Sequence, residues 1–258
     1  MILSIWANPP VFAHLALKPE VPPSMPRPLL LLLLALLPLA ALAQGPLTCF
    51  ESDPNTDPDI AIPACTAAIA SGTLEGAWLA GAYANRGVAH RELDQFAQSA
   101  DDLETAIRID PAAPHMRMLA WTYRTMRRQE EAEAIYTQIL ETDDHWQSWL
   151  SRCVVRQDLE KFEQAVGDCE QAVLRDPDNT DALYFAARAH NILGQGHRAL
   201  PLARKATSLD PEKTRHLVEL AWAMHLTGDT SGGRELVRDR LAETPGDPEL
   251  LDYLRQTD

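Results

Sequence analysis

The chain has 258 residues, of which 46% are apolar and 6% aromatic, and a formal net charge of −14. That length accommodates one extended domain or two compact ones, and the alanine- and leucine-rich composition leans toward closely packed helices. The acidic balance excludes nucleic acid as a main partner, because phosphate binding needs a basic face. It reads first as a solvated acidic surface, with basic partner segments as the second reading.

Arg27 precedes an apolar stretch that runs from Leu29 through Pro38 to Ala43 and ends on Ala41-Leu42-Ala43. A basic start, a short apolar run and an A-x-A ending predict a secretory signal peptide within residues 1–43, cleaved near Ala43–Gln44. About fifteen apolar residues interrupted by proline fall short of the roughly twenty that a membrane span needs. An uncleaved anchor is the competing reading. Met25 stands directly before Pro26-Arg27, so residues 1–24 are expected to lie upstream of the true start. Cys49 follows Pro46-Leu47-Thr48 and lacks the small preceding residue of a lipidated cysteine. The mature chain is thus expected in the periplasm or the medium, with no stable membrane span.

Residues 44–79 come next. Asp59 to Ser71 reads as a helix with Ala61, Cys65 and Ala68 on one face, while the stretch before it, holding Cys49, is broken by Pro54 and Pro58. The same spacing returns at Ala165, Cys169 and Ala172, which makes residues 44–79 a degenerate leading half-repeat.

From residue 80 to 247 an internal period governs the chain. Ala106 to Pro111, Ala172 to Pro177 and Ala206 to Pro211 end alike, Leu241 to Pro245 more loosely, and Ile139 to Asp144 fills the gap. Pro111, Asp144, Pro177, Pro211 and Pro245 stand 33, 33, 34 and 34 residues apart. Small residues recur in phase: Gly87, Ala120, Cys153, Ala187 and Ala221, then Ser99, Ala132, Ala165, Ala199 and Gly233 twelve residues later. Seven further on come Ala106, Ile139, Ala172, Ala206 and Arg240, of which Ile139 and Arg240 depart in size. A seven-residue step keeps two positions on one helix face. The twelve-residue step crosses a turn, marked by Leu93-Asp94-Gln95, Leu159-Glu160-Lys161, Leu193-Gly194-Gln195 and Thr227-Gly228-Asp229. Each unit therefore reads as helix, short turn, helix, closed by a residue-proline pair that ends the second helix.

With Tyr83-Ala84-Asn85-Arg86-Gly87-Val88-Ala89-His90, Phe96 and Pro111 in these places, the chain resembles the tetratricopeptide repeat family. The resemblance implies an all-α fold, an α-solenoid of five tandem helix-turn-helix repeats starting near Ala80, Ala113, Trp146, Thr180 and Thr214. Gly232-Gly233 and Arg240 mark the last repeat as the departure, and an end repeat has only one stabilising neighbour. Residues 248–258, with Leu250, Leu251 and Leu254 on one side, read as a capping helix.

The cysteines form two pairs of equal spacing, Cys49 with Cys65 and Cys153 with Cys169. The same phase behind an export signal predicts two disulfides within repeats, each closing a loop worth about 3 kcal/mol in the chain-entropy account. Contact between small core residues without a bond is the alternative.

No phosphate loop, dinucleotide fingerprint, nucleophile elbow or H-E-x-x-H motif occurs. No histidine stands at a ligand spacing from the cysteines, so neither metal nor cofactor is expected. His90 and His190 occupy an equivalent position that suits internal packing, His216 and His225 fall on different faces, and Asp101-Asp102 and Glu130-Glu131 read as solvated. The family resemblance places the functional surface on the first helices and implies groove positions at Asn85, Val88, Arg117, Trp121, Arg124, Tyr184, Arg188, Trp222 and His225. Arginines beside large aromatics suit peptide binding, although Trp121 and Trp222 equally suit packing between repeats. Ala84 and Val88 stand where the carboxylate-clamp subgroup carries lysine and asparagine, so chaperone-tail binding is not implied. The expectation is an exported, non-catalytic scaffold or adaptor that holds a peptide or protein partner in its groove. Self-assembly through the last repeat and the cap is the alternative.

Overall fold

The computed structural model describes residues 47–258; the expected signal segment, its cleavage point and Met25 lie outside these residues. The described residues fold into helices joined by turns, without strands, in two compact units of residues 47–127 and 128–258.

The first unit contains α1 (Thr48–Glu51), α2 (Pro58–Ala70), α3 (Gly76–Glu92), α4 (Phe96–Ile109) and α5 (Ala113–Thr125). Along α4, Ser99, Ala100, Asp102, Leu103 and Ala106 are buried, a one-sided stripe at helical spacing. The helix ends as its sequence dictates: Asp110 turns extended ahead of Pro111, and its N–H still donates to Ala106 O. Gly87 lies where α3 and α4 cross. A Cβ there would come within 3.0 Å of Leu103 Cγ and 3.1 Å of Ser99 O, so the close approach favours glycine. The start of α3 lies a turn ahead of the expected Ala80, and this added turn carries Trp78 to an edge-on contact with Phe50 of α1 at 5.1 Å. Cys49 and Cys65 are disulfide-bonded between α1 and α2, with Cα atoms 4.5 Å apart.

The second unit contains α6 (Gln129–Ile139), α7 (Trp146–Asp158), α8 (Phe162–Arg175), α9 (Thr180–Ile192), α10 (Gly196–Leu209), α11 (Thr214–Leu226), α12 (Thr230–Glu243) and α13 (Pro248–Gln256). The stripe recurs as Ala165, Asp168, Cys169 and Ala172 on α8 and as Ala199, Ala203 and Ala206 on α10. Asp176 and Asp210 likewise leave the helical region before Pro177 and Pro211, at ψ 84° and 81°. Cys153 of α7 and Cys169 of α8 are disulfide-bonded and fully buried, with Cα atoms 5.3 Å apart. Arg240, the oversized residue of its series, reaches back to the carbonyls of Pro211 at 2.6 Å and Glu212 at 3.3 Å. In the last repeat, α13 turns Leu250 and Tyr253 into a core with Leu217, Val218, Ala221 and Val237. Tyr253 donates its hydroxyl to Ala221 O, and Gly233 leaves room for that hydroxyl.

The interhelix turns share one design. Asp94, Glu160, Gly194 and Gly228 hold left-handed φ between 57° and 96°. Around Asp94, Gln95 N donates to His90 O (2.9 Å) and Asp94 N to Arg91 O (2.9 Å), the double closure of a Schellman motif. The same pair of bonds closes the turns at Glu160, Gly194 and Gly228. His90 and His190 reinforce the turns through Nδ1 to Gln95 Oε1 (2.6 Å) and Gln195 Oε1 (2.8 Å). Both histidines thus hold a hairpin together.

Asp102 corrects the sequence reading. It is buried, and it accepts a two-pronged bond from Arg86, Nε at 2.8 Å and Nη2 at 2.7 Å. That carboxylate raises the Arg86 pKa further above its ordinary value. Asp168 accepts an equivalent pair from Arg152 at 2.8 Å each, and a third bond from Arg156. The other repeats place apolar pairs there, such as Ala186 with Leu202 and Leu220 with Leu236. A carboxylate at a core-facing position is paired rather than solvated, because an unpaired buried charge is too costly.

Candidate functional site

The first helices of the repeats carry the side chains that the cores do not absorb. In the first unit, Trp121 of α5 is half-buried, and the Arg91 guanidinium of α3 lies 4.3 Å above its ring. This cation–π stack leaves the indole between packing and surface. Arg117 is nearly buried, Arg124 is half-buried, and both are engaged by neighbouring groups. Asn85 donates to Cys49 O at 3.0 Å, so its amide anchors α1. Val88 is 3% exposed and sits inside the core, which removes it from any surface a partner could touch.

In the second unit the groove positions fall into two groups. Tyr184 and Arg188 stand one turn apart on α9. Tyr184 meets Phe185 edge-on at 4.8 Å, and the Arg215 guanidinium of α11 lies 4.9 Å over its ring. Arg215 also donates to Asp181 at 2.5 Å. Arg188 Nη1 donates to Gln157 Oε1 of α7 at 2.8 Å, and its Nε stands 3.9 Å from Glu219 Oε1. Asn191 Nδ2 donates to both the carbonyl and the carboxylate of Glu219 at 2.9 Å. Burial drives the Glu219 pKa up to about 7, helped by Glu249 and opposed by Asn191 and Arg188. Burial likewise pushes the Tyr184 hydroxyl up to about 12 and raises Glu249. Trp222 packs edge-on against Tyr253 of α13 at 5.0 Å and His225 at 5.7 Å, so much of its ring serves the packing between last repeat and cap. His225 Nδ1 pairs with Thr230 Oγ1 at 3.0 Å, a turn contact like those of His90 and His190.

Of the expected residues, Tyr184 and Arg188 come together most closely, while Trp222 and His225 form a second group toward the cap. Gln157, Asn191, Arg215, Glu219 and Glu249 were not anticipated. For the first two the sequence carries a signal: Gln157, Asn191 and His225 follow one another at the repeat period. The arrangement offers donors, acceptors and apolar area along a helical face. Among the described residues no group of three or more His, Cys, Asp or Glu side chains gathers to hold a metal ion, and no helix is long and apolar enough to cross a membrane.

The profile described as "Tetratricopeptide repeat" matches residues 80–112 and 118–145. The fold is that of tandem tetratricopeptide repeats. A tetratricopeptide repeat protein from Parabacteroides merdae superposes with a TM-score of 0.63 at 17% identity, over 69% of this chain and 72% of that one. PilW, described as a widely conserved type IV pilus biogenesis factor, superposes with a TM-score of 0.67 at 17% identity, covering 80% and 94%. YrrB, described as a tetratricopeptide repeat protein with an unusual peptide-binding site, gives 0.63 at 16%, covering 74% and 98%. At such identities the likeness is one of fold. No curated protein sequence matches the chain. In tetratricopeptide terms, Tyr184, Arg188, Arg215 and Trp222 all belong to first helices, and Cys153 and Cys169 link the two helices of one repeat.

Proposed function

We propose that this chain is an exported, non-catalytic scaffold that holds a peptide segment of a protein partner against its first helices. The observation that carries the reading is the set of half-buried aromatic and arginine side chains on those helices, Trp121 with Arg91 in one unit and Tyr184 with Arg188 and Arg215 in the other. Large flat side chains with a polar edge give contact area at low entropy cost, and arginine supplies directional donors. Two buried disulfides suit an oxidising compartment, and the apolar run from Leu29 to Ala43 supports export. The peptide-binding and pilus-biogenesis descriptions of YrrB and PilW agree with a role in protein interaction. Self-assembly through the cap has less to stand on, since α13 turns Leu250 and Tyr253 inward and packs Leu254 against the same core.

A photo-crosslinking amino acid at position 121 or 184, in the native host, tests the surface against controls at the exposed second-helix positions 101 and 204. Partners should be captured from 121 or 184 and not from the controls; the reverse pattern would overturn the reading. Intact mass spectrometry tests export: the protein should begin at Gln44 and gain the hydrogens of two disulfides on reduction.

A further inference from the structure

Gln157, in the last turn of α7, is 5% exposed, and both ends of its amide are used. Nε2 donates to Phe185 O at 3.0 Å and faces both sulfurs of the Cys153–Cys169 disulfide, at 3.3 and 3.6 Å. Oε1 accepts from Arg188 Nη1 at 2.8 Å. The orientation of the amide is determined by its partners, since a carbonyl only accepts and a guanidinium only donates. One end of this side chain therefore touches the disulfide, and the other holds an arginine on the first-helix face. Asn191 and His225 occupy the same lane in the next two repeats. The residues there that correspond to the cysteines are Ala187 with Ala203 and Ala221 with Val237, so the linkage is peculiar to the third repeat.

Arg188 differs from four other half-buried arginines of its unit. Arg152 and Arg156 are bonded to Asp168, Arg175 to Asp144 and Arg215 to Asp181. The Arg188 side chain is 40% exposed and bonds a neutral amide, and the Glu219 carboxylate stays beyond hydrogen-bond distance at 3.9 Å. Its guanidinium is oriented by the neutral amide and only loosely paired with Glu219, which suits a closer carboxylate supplied by a ligand.

We propose that Gln157 is a positioning residue that couples the Cys153–Cys169 disulfide to Arg188, so that the oxidised protein binds a carboxylate-bearing peptide and the reduced protein binds it weakly. This rests on the first-helix face being the binding surface. On reduction by a dithiol, two electrons and two protons pass to the cystine: the S–S bond breaks, two S–H bonds form, and the reductant closes to its own disulfide. Bonded sulfurs present only lone pairs to the Gln157 amide. Two thiols must move apart to van der Waals contact, and each brings a hydrogen. In this buried space the amide shifts, and Oε1 leaves Arg188. The freed guanidinium then loses the orientation that made it a directional donor.

The test uses the full chain and a synthetic library of random heptapeptides in two forms, one with a free C-terminal carboxylate and one amidated. Bound peptides should carry a carboxylate; binding of amidated acidic peptides assigns it to a side chain, and binding of the free-acid form alone assigns it to the C-terminus. Arg188→Ala should weaken the selected peptides about tenfold or more, and Gln157→Met at least threefold. The double variant should bind no worse than Arg188→Ala, the sign of residues acting as a unit. Dithiol reduction should weaken wild type, and Cys49→Ser/Cys65→Ser, as much as Gln157→Met does, with no further effect on Gln157→Met. Binding within twofold of wild type in Gln157→Met or after reduction, while Arg188→Ala loses it, would overturn the coupling and leave the binding surface standing. Binding unaffected by Arg188→Ala would remove both. If no peptide is selected, the surface reading fails, and the coupling is still read from ¹⁵N side-chain resonances of Arg188, assigned by their loss in Arg188→Lys. They should move on reduction in wild type and not in Gln157→Met, and unmoved resonances would overturn it.

Discussion

Asp102→Leu isolates what a polar crossbar does inside a repeat. The carboxylate is 10% exposed and Arg86 19%, and the two groups share a pair of charge-assisted bonds at 2.7 and 2.8 Å. Removing one partner strands the other. Arg86 would keep its contact with Thr66 Oγ1 at 3.1 Å and its place over the Tyr83 ring, neither of them a carboxylate, and breaking such a pair from one side costs about 3 kcal/mol. For a chain of this size that is a fall in melting temperature of roughly 6–12 °C. Arg86→Leu/Asp102→Leu should behave differently. Leu220 and Leu236 hold the same two positions in the last repeat and pack in one apolar cluster, so an apolar pair suits the geometry. Such replacements are often neutral or stabilising, because the desolvation penalty of both ions disappears. The double variant should melt within about 1 kcal/mol of wild type. Thermal and urea denaturation of the two variants, followed by far-ultraviolet circular dichroism, provides the measurement. A double variant as unstable as the single one would refute the reasoning and mean that the ion pair stabilises the hairpin outright.

Three further outcomes are expected. Asp94→Gly and Glu160→Gly should each raise stability by about 0.5 kcal/mol, since the left-handed backbone costs an L side chain about 1–2 kcal/mol and glycine's extra unfolded-state entropy offsets part of the gain; urea midpoints decide, and a loss in both would count against the turn analysis. Gly87→Ala should cost about 1–3 kcal/mol, because the new Cβ would lie 3.0 Å from Leu103 Cγ and 3.1 Å from Ser99 O, and a neutral result would mean that α3 and α4 move apart easily. Burial lifts the Glu219 pKa from 4.5 to about 7, so the unfolded chain loses this proton before the folded one does. That contribution to stability is complete below pH 4.5 and declines as the pH rises to about 7, by on the order of 3 kcal/mol at most. Glu219→Gln should flatten the decline, leaving the opposed slopes of Glu249, which burial raises in the same direction, and His216, whose pKa burial lowers. Equal slopes in wild type and variant between pH 5 and 8 would sink this assignment.

The sequence by itself determined the helices, their order and their stops. Small residues in phase at Gly87, Ser99 and Ala106 serve a close helix crossing, and a residue pushed out of the helical region before Pro111, Pro177 or Pro211 ends a helix whatever its neighbours do. The cysteine pairing was legible for the same reason: equal spacing across equal hairpins sets Cys153 against Cys169. Tertiary structure decided which polar side chains are buried and what they meet. Asp102 looks like a surface carboxylate until α3 brings Arg86 to it, and Val88 looks like a groove residue until the folded chain buries it. Gln157 shows the limit most plainly. Its lane follows from the repeat period, but its role depends on Phe185 and Arg188 of α9 and on a disulfide that ties its own helix to α8. Periodicity belongs to one chain segment at a time, whereas a buried polar contact depends on the joint placement of several, which only the folded chain supplies.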